Sequence, residues 1–168
     1  MQIGSTQLNN CMNKIKNPYK GFEDQGYNCF ACCPSNPYGL KMEFYEDGDY
    51  VVSIWNSSDN YQGWLKTLHG GIQATLMDEL GGWLVNRKLQ VAGMTTDLKM
   101  RYRRPVPTGD NVKIELRGQI KEFKRNFAFI EVTLSHNGEI CSICEMRYFC
   151  FSKEKSESDF GFTGCELE

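Results

Sequence analysis

The stretch Trp64-Leu65-Lys66-Thr67-Leu68-His69-Gly70-Gly71-Ile72-Gln73-Ala74-Thr75-Leu76-Met77-Asp78-Glu79-Leu80-Gly81-Gly82-Trp83-Leu84-Val85 decides the fold. From Ile72 onward its apolar residues recur at helical spacing, with Ile72, Leu76, Leu80, Trp83 and Leu84 in one stripe. The opposite face carries Ala74, Asp78, Gly81, Gly82 and Val85, small residues around a single acid. A glycine inside a helix costs about 1 kcal/mol relative to alanine. Two adjacent ones beside the acid predict that another body approaches the backbone there. Gly70-Gly71 opens the helix, so amide N–H groups at its positive end are placed to receive an anion or a developing oxyanion.

Gly71 and Asp78 fall on nearly the same face but lie about 10 Å apart along the axis, at ~1.5 Å per residue. One carbonyl cannot meet both in one chain. Two such helices packed antiparallel about a two-fold axis would set Gly71 of one subunit against Asp78 of the other. The spacing therefore predicts a homodimer with two composite sites; whether such dimers pair further into a dimer of dimers is not fixed by it.

Around the helix the chain reads as strands. Lys41–Tyr45, the turn pair Asp47-Gly48 and Tyr50–Trp55 form a hairpin. After the helix come Met94–Arg104, Asn111–Lys121, Asn126–Ser135 and Ile140–Phe151, the last two joined by the turn His136-Asn137-Gly138-Glu139. One long helix with a run of antiparallel strands is an α+β arrangement, the helix packed on a curved antiparallel sheet. The expected organisation is a flexible tail over 1–20, one domain over 21–152 and a charged, disordered tail over 153–168.

His69-Gly70-Gly71 followed by Leu76-x-Asp78 resembles the helix motif of hotdog-fold acyl-CoA thioesterases, in the branch of phenylacetyl-CoA thioesterase and the thioesterase superfamily members. Two further segments agree. Cys29-Phe30…Cys32…Asn36-Pro37…Gly39-Leu40 resembles an entry segment of some of these enzymes, and Pro105-Val106-Pro107-x-Gly109-Asp110 resembles a family connection. The resemblance runs from about Cys29 to Phe151. It implies hydrolysis of an acyl-CoA to free acid and CoA at a dimer interface.

On that resemblance Asp78 is the catalytic carboxylate, either activating water or attacking to give a mixed anhydride. Gly71 supplies an oxyanion donor through its N–H. His69 shapes the turn, and Thr95, with Thr96 as the fallback, matches a Ser or Thr that holds the lytic water across the dimer. Some relatives carry Asn or Gln six residues before the His. Here that position is Gly63, with Gln62 adjacent as the substitute. Gly70, Gly63 and Trp64 line the expected substrate site, and Trp64, Trp83 and Met77 are either pocket or core. Arg103, Lys124 and Arg125 are expected to receive the phosphates of CoA. Glu79, about 100° around the helix from Asp78, reads as structural or as the partner of a basic residue.

Two other functions compete. A ligand sensor would bind acyl-CoA without turnover, but it would have no use for Asp78. A hotdog hydratase would pair an Asp with a later His in the helix, and none follows Asp78.

Composition narrows the field. The chain has 168 residues, 40% hydrophobic and 24% charged, enough for one real core. A net charge of −2 gives no general attraction to nucleic acid or anionic membrane, and neither is expected as a partner. No apolar run reaches transmembrane length, and residues 1–20 lack an apolar signal core, so a cytoplasmic location is expected. The eight cysteines then read as thiols. Cys29-x-x-Cys32 with Cys33 has metal-knuckle spacing, but zinc wants four ligands and Cys141-x-x-Cys144 lies in a predicted strand. These thiols are read as loop packing, with no metal and no cofactor expected. Neither a phosphate-binding loop nor a strand-linked Gly-x-Gly-x-x-Gly is present.

Overall fold

The structure is a computed structural model that describes residues 12–168. One seven-stranded sheet wraps a single long helix. In chain order the strands are β1 (Asn13–Lys14), β2 (Tyr45–Asp47), β3 (Tyr50–Asn56), β4 (Gly93–Tyr102), β5 (Lys113–Lys124), β6 (Phe127–His136) and β7 (Glu139–Cys150). Helix α1 spans Gly70–Leu84 and a short α2 spans Lys153–Phe160. All pairings are antiparallel, in the spatial order β1-β2-β3-β5-β6-β7-β4. β4, at the end of this order, is therefore an edge strand ten residues long.

The strands alternate as a half-buried sheet should. In β7 the inward residues are Ser142, Cys144, Met146, Tyr148 and Cys150; in β5 and β6 they include Ile114, Leu116, Ala128, Ile130, Val132 and Leu134. Against them α1 lays Leu76, Met77, Leu80, Leu84 and the following Val85, all fully buried. Trp83 stacks on Phe44, with ring centroids 4.2 Å apart. Met77 is thus core and not pocket lining.

The small-residue face of α1 has a different cause from the one its sequence suggests. Gly81 is buried against β7, where a Cβ would collide with the Met146 sulfur and crowd the Tyr148 ring. The body that approaches the backbone here is the chain's own sheet. Gly118 on β5 does the reciprocal job, since a Cβ there would lie 2.6 Å from Leu80 Cδ2 and 2.8 Å from Val132 Cγ2. α1 runs on from Leu84 into a wider π-helical turn, Val85–Leu89, whose Arg87 and Lys88 clasp Glu46 at 2.9 and 2.6 Å.

Both ends of the described chain are more structured than their composition suggests. Residues 1–11 lie outside the described residues, and the expected tail over 1–20 falls partly there. Beyond it, β1 pairs with β2 and Ile15 is buried. At the other end Ser152 caps α2, whose C-terminal Gly161 takes the left-handed conformation at φ 62°. Phe162 and Cys165 are buried, and Leu167 bridges to Ile15. The charged residues of 153–168 face outward, while a few apolar ones and one N-cap fix the segment, which corrects the expectation of a disordered tail.

Candidate active site

Asp78 projects from the middle of α1 toward the start of β4 and the end of β7. Thr95 Oγ1 donates to Asp78 Oδ1 at 2.6 Å. The Tyr148 hydroxyl lies 2.7 Å from the same oxygen and 2.6 Å from the Asp78 carbonyl. Thr95 and Tyr148 are direct cross-strand partners on β4 and β7. Immediately after Thr95 the register slips at a β-bulge before Asp97, which turns Thr96 to the Arg147 carbonyl, 3.0 Å away. The bulge thus separates the two candidate threonines, giving Thr95 to the acid. The family resemblance implies a Thr95 that holds a water across the dimer; within its own chain Thr95 donates to Asp78. Burial, and after it the Asp78 charge, push the Tyr148 phenol well above the usual tyrosine range, so it remains a donor. Among the described residues both side-chain hydroxyls fall on Oδ1. Oδ2 receives neither of them, and Asp78 lines the adjoining cavity of about 360 Å³ together with Thr95, Tyr148, Trp83 and Gly82.

The helix start forms a second, separate recess, lined by Tyr61, Gln62, His69, Gly71, Ile72 and Thr75. His69 is the N-cap, and its Nδ1 accepts the Gly71 N–H at 2.8 Å. That bond requires a neutral imidazole with its proton on Nε2. It also corrects the expectation of a bare Gly71 amide: the N–H that would receive an oxyanion is already capped. Gly63 permits this arrangement, since a Cβ would sit 3.2 Å from His69 Cα. The Gly70 carbonyl accepts from the Tyr102 hydroxyl at 2.9 Å. Gln62 bridges Leu68 at the rim of this recess. Trp64 stands 84% exposed, away from both recesses of its own chain.

The residues read from sequence therefore separate into an acid group (Asp78, Thr95) in one cavity and an amide group (Gln62, His69, Gly71) in another, with Gly63 and Gly70 beside the second but not lining it. The basic residues separate too. Arg103 follows β4 and donates its N–H to Cys141, at the helix-start end. Lys124 and Arg125 lie at the opposite end, where Lys124 pairs with Phe127, Phe127 with Phe149 and Phe149 with Met94. At about 3.3 Å per residue, β4 sets these ends roughly 30 Å apart. Arg101 and Arg104 are already engaged by Glu145 and Glu139, at 3.0 and 2.8 Å.

Two features escape the sequence. Tyr148 is 70 residues from Asp78, and only its inward parity on β7 hints at a role. Glu79 has no basic partner among the described residues; its Oε1 accepts the Trp83 indole N–H at 3.0 Å and lies 3.7 Å from Cys29 Sγ.

Comparison with known proteins agrees with this architecture. Residues 65–143 match the thioesterase superfamily model. No curated protein matches the chain. Among solved structures, one thioesterase superfamily protein is 24% identical, covering 72% of this chain and 62% of its own, with a TM-score of 0.66. The Streptococcus mutans protein smu.793, bound to acetyl CoA, is 17% identical over 66% of this chain and 89% of its own, with a TM-score of 0.60. The Escherichia coli PaaI protein of the phenylacetic acid degradation operon is 12% identical over 67% and 81%, with a TM-score of 0.61. The fold is the hotdog fold, and the resemblance read from the His69-Gly70-Gly71…Asp78 pattern holds. No helix among the described residues is long and apolar enough to cross a membrane.

Proposed function

We propose, from the premise that this chain has the hotdog fold and a thioesterase-superfamily match over 65–143, that it hydrolyses an acyl-CoA thioester to free acid and CoA. The observation that carries the reading is the Asp78 carboxylate, which lines a cavity and is held through Oδ1 by the hydroxyls of Thr95 and Tyr148. Thr95 and Tyr148 lock the rotamer. Oδ2 then either takes a proton from an attacking water or attacks the thioester carbon itself. In either route the carbonyl oxygen gains negative charge and is stabilised by amide donors, of the kind found at the other end of α1.

A dimer about a two-fold axis supplies them. β4 is a long edge strand carrying exposed Met94 and Tyr102, and an unpaired edge of this length favours pairing with a second copy. Antiparallel β4–β4 pairing would bring the helix start of one subunit toward Asp78 of the other. It would also bring Arg103 of one subunit to the end that carries Lys124 and Arg125 of its partner, gathering the cations for the CoA phosphates. The Gly71 N–H joins the reaction by exchanging His69 Nδ1 for the substrate oxygen.

One observation favours a second reading. Because His69 already satisfies the Gly71 N–H, the same site could hold acyl-CoA as a ligand sensor without turnover. Thiol release from a panel of acyl-CoAs, with Asp78→Asn alongside, separates the two. Release abolished by Asp78→Asn supports hydrolysis. Tight binding with no release from any member supports the sensor.

A further inference from the structure

The turn Tyr27–Cys33 brings its thiols against the outer face of α1, one residue beyond Asp78. Cys29 Sγ, Cys32 Sγ and a Glu79 carboxylate oxygen all lie within 4.8 Å of one another, and Cys29 Sγ is 3.7 Å from Glu79 Oε1. Cys33, third in the sequence cluster, is not part of this group: its thiol faces the Tyr27 carbonyl and the Ser35 hydroxyl. From this geometry we infer a metal site for a zinc-class divalent cation, bound by Cys29, Cys32 and Glu79 in the reduced protein.

The donor geometry suits such an ion. Tetrahedral zinc, with Zn–S near 2.3 Å and Zn–O of about 2.0–2.2 Å, holds its donors roughly 3.6–3.8 Å apart. The three atoms therefore need to close by about 1 Å at most. Two thiolates and a carboxylate form a mixed sulfur–oxygen set of the kind zinc accepts, with a fourth position left for water or a soft ligand. That position borders the cavity that also holds Asp78 and Thr95.

Each ligand is also oriented from behind, as metal ligands generally are. Trp83 Nε1 donates to Glu79 Oε1 at 3.0 Å. The Cys32 amide donates to Cys29 Sγ at 3.4 Å. The Tyr27 hydroxyl lies 3.2 Å from Cys32 Sγ and accepts from Asn17 Nδ2 at 2.8 Å, which leaves its own proton for the sulfur. Glu79 enters none of the ion pairs among the described residues, so no side-chain cation balances this corner. A disulfide between Cys29 and Cys32 would account for the two thiols but not for a carboxylate oxygen within 4.8 Å of both sulfurs. The cysteine spacing alone does not show this set, because Cys33 is not a donor and the third donor, Glu79, comes from the helix.

The site is independent of the catalytic reading, and its test needs no activity. The full chain, reduced and stripped by a chelator, is titrated with Co²⁺ and then with Zn²⁺ against a competing chelator. One equivalent of Co²⁺ should bind, with sulfur-to-metal charge-transfer absorption and the d–d bands of a tetrahedral site, and Zn²⁺ should displace it. Cys29→Ser and Cys32→Ser should each weaken charge transfer and lower affinity by at least about tenfold. The near-isosteric Glu79→Gln should lower affinity by about tenfold or more and shift the d–d bands. Cys33→Ser should change neither. Circular dichroism confirms that each variant is folded. No stoichiometric binding by the reduced chain would overturn the inference, as would binding that survives both Cys29→Ser and Cys32→Ser. A protein isolated with a Cys29–Cys32 disulfide that takes up no metal after reduction would overturn it equally.

Discussion

Thr95 and Tyr148 face each other across β4 and β7, and both hydroxyls close on the same oxygen, Asp78 Oδ1, at 2.6 and 2.7 Å. Two donors on one oxygen make the other the reactive one. Hydrogen bonds to charged groups contribute about 1.5–3 kcal/mol. Tyr148→Phe should therefore lower kcat by roughly 10- to 100-fold with little change in KM, and Thr95→Val should act in the same direction. Steady-state kinetics on any acyl-CoA that the wild type turns over checks this. Unchanged kcat in both variants would mean that Asp78 is not held for chemistry.

His69 caps the helix through Nδ1 and lies in a different cavity from Asp78. As a cap, His69→Ala should cost about 0.5–2 kcal/mol of stability, read by denaturant unfolding. It also removes the competitor for the Gly71 amide, so kcat should fall by no more than about tenfold. A loss of a thousandfold at unchanged fold would make His69 a general base instead.

The loop that carries Gln62, Gly63 and Trp64 is clamped by an ion pair. The Lys66 ammonium at 2.6 Å, and then the Thr108 hydroxyl, hold the Asp59 carboxyl down at about 2 from an ordinary 3.8. A carboxyl lowered by folding contributes stability above its unfolded pKa and loses it as pH falls through the folded one. The clamp should be intact above about pH 4 and open progressively toward about pH 2. Hydrogen exchange of the 62–68 amides should accelerate over that window, and Asp59→Asn should show the fast exchange already at neutral pH. Identical protection in the variant would contradict the clamp.

The cations are tested by removing the phosphates from the substrate. Arg103→Ala and the double variant Lys124→Ala/Arg125→Ala should raise KM for an acyl-CoA severalfold, while leaving kcat/KM unchanged for the same acyl group on a truncated phosphate-free thiol. Equal effects on both substrates would place these residues elsewhere.

Much of this arrangement is legible along the chain. The 3.6-residue period of α1, the Asn137-Gly138 turn and the strand alternation depend on neighbours a few residues apart; the first hairpin is legible too, although its strand is Tyr45–Asp47 rather than Lys41–Tyr45 and its turn is Gly48-Asp49, one residue beyond the Asp47-Gly48 pair. So does the distance between Gly71 and Asp78, which a regular helix fixes. What was not legible depends on registration. The bulge after Thr95 selects that threonine over Thr96, and nothing local signals it. Tyr148 reaches Asp78 only because β7 pairs with β4. Gly81 suggested an approaching partner because small residues record closeness without recording to what; it is Met146 and Tyr148 of the same chain. The segment 153–168 is ordered by a handful of buried contacts that an average over its charged composition hides.

The central claim is that acid and amide belong to different subunits, and complementation tests it most directly. Asp78→Asn removes the carboxylate; Gly71→Val places a side chain where Gly71 meets His69 Nδ1 and blocks the helix start. Unfolded together and refolded at equal ratio, the two inactive chains form half heterodimers, each with one intact composite site. The account predicts recovery of about one quarter of wild-type activity in the mixture. A mixture as inactive as its parents, with heterodimers demonstrated by mass, would contradict it.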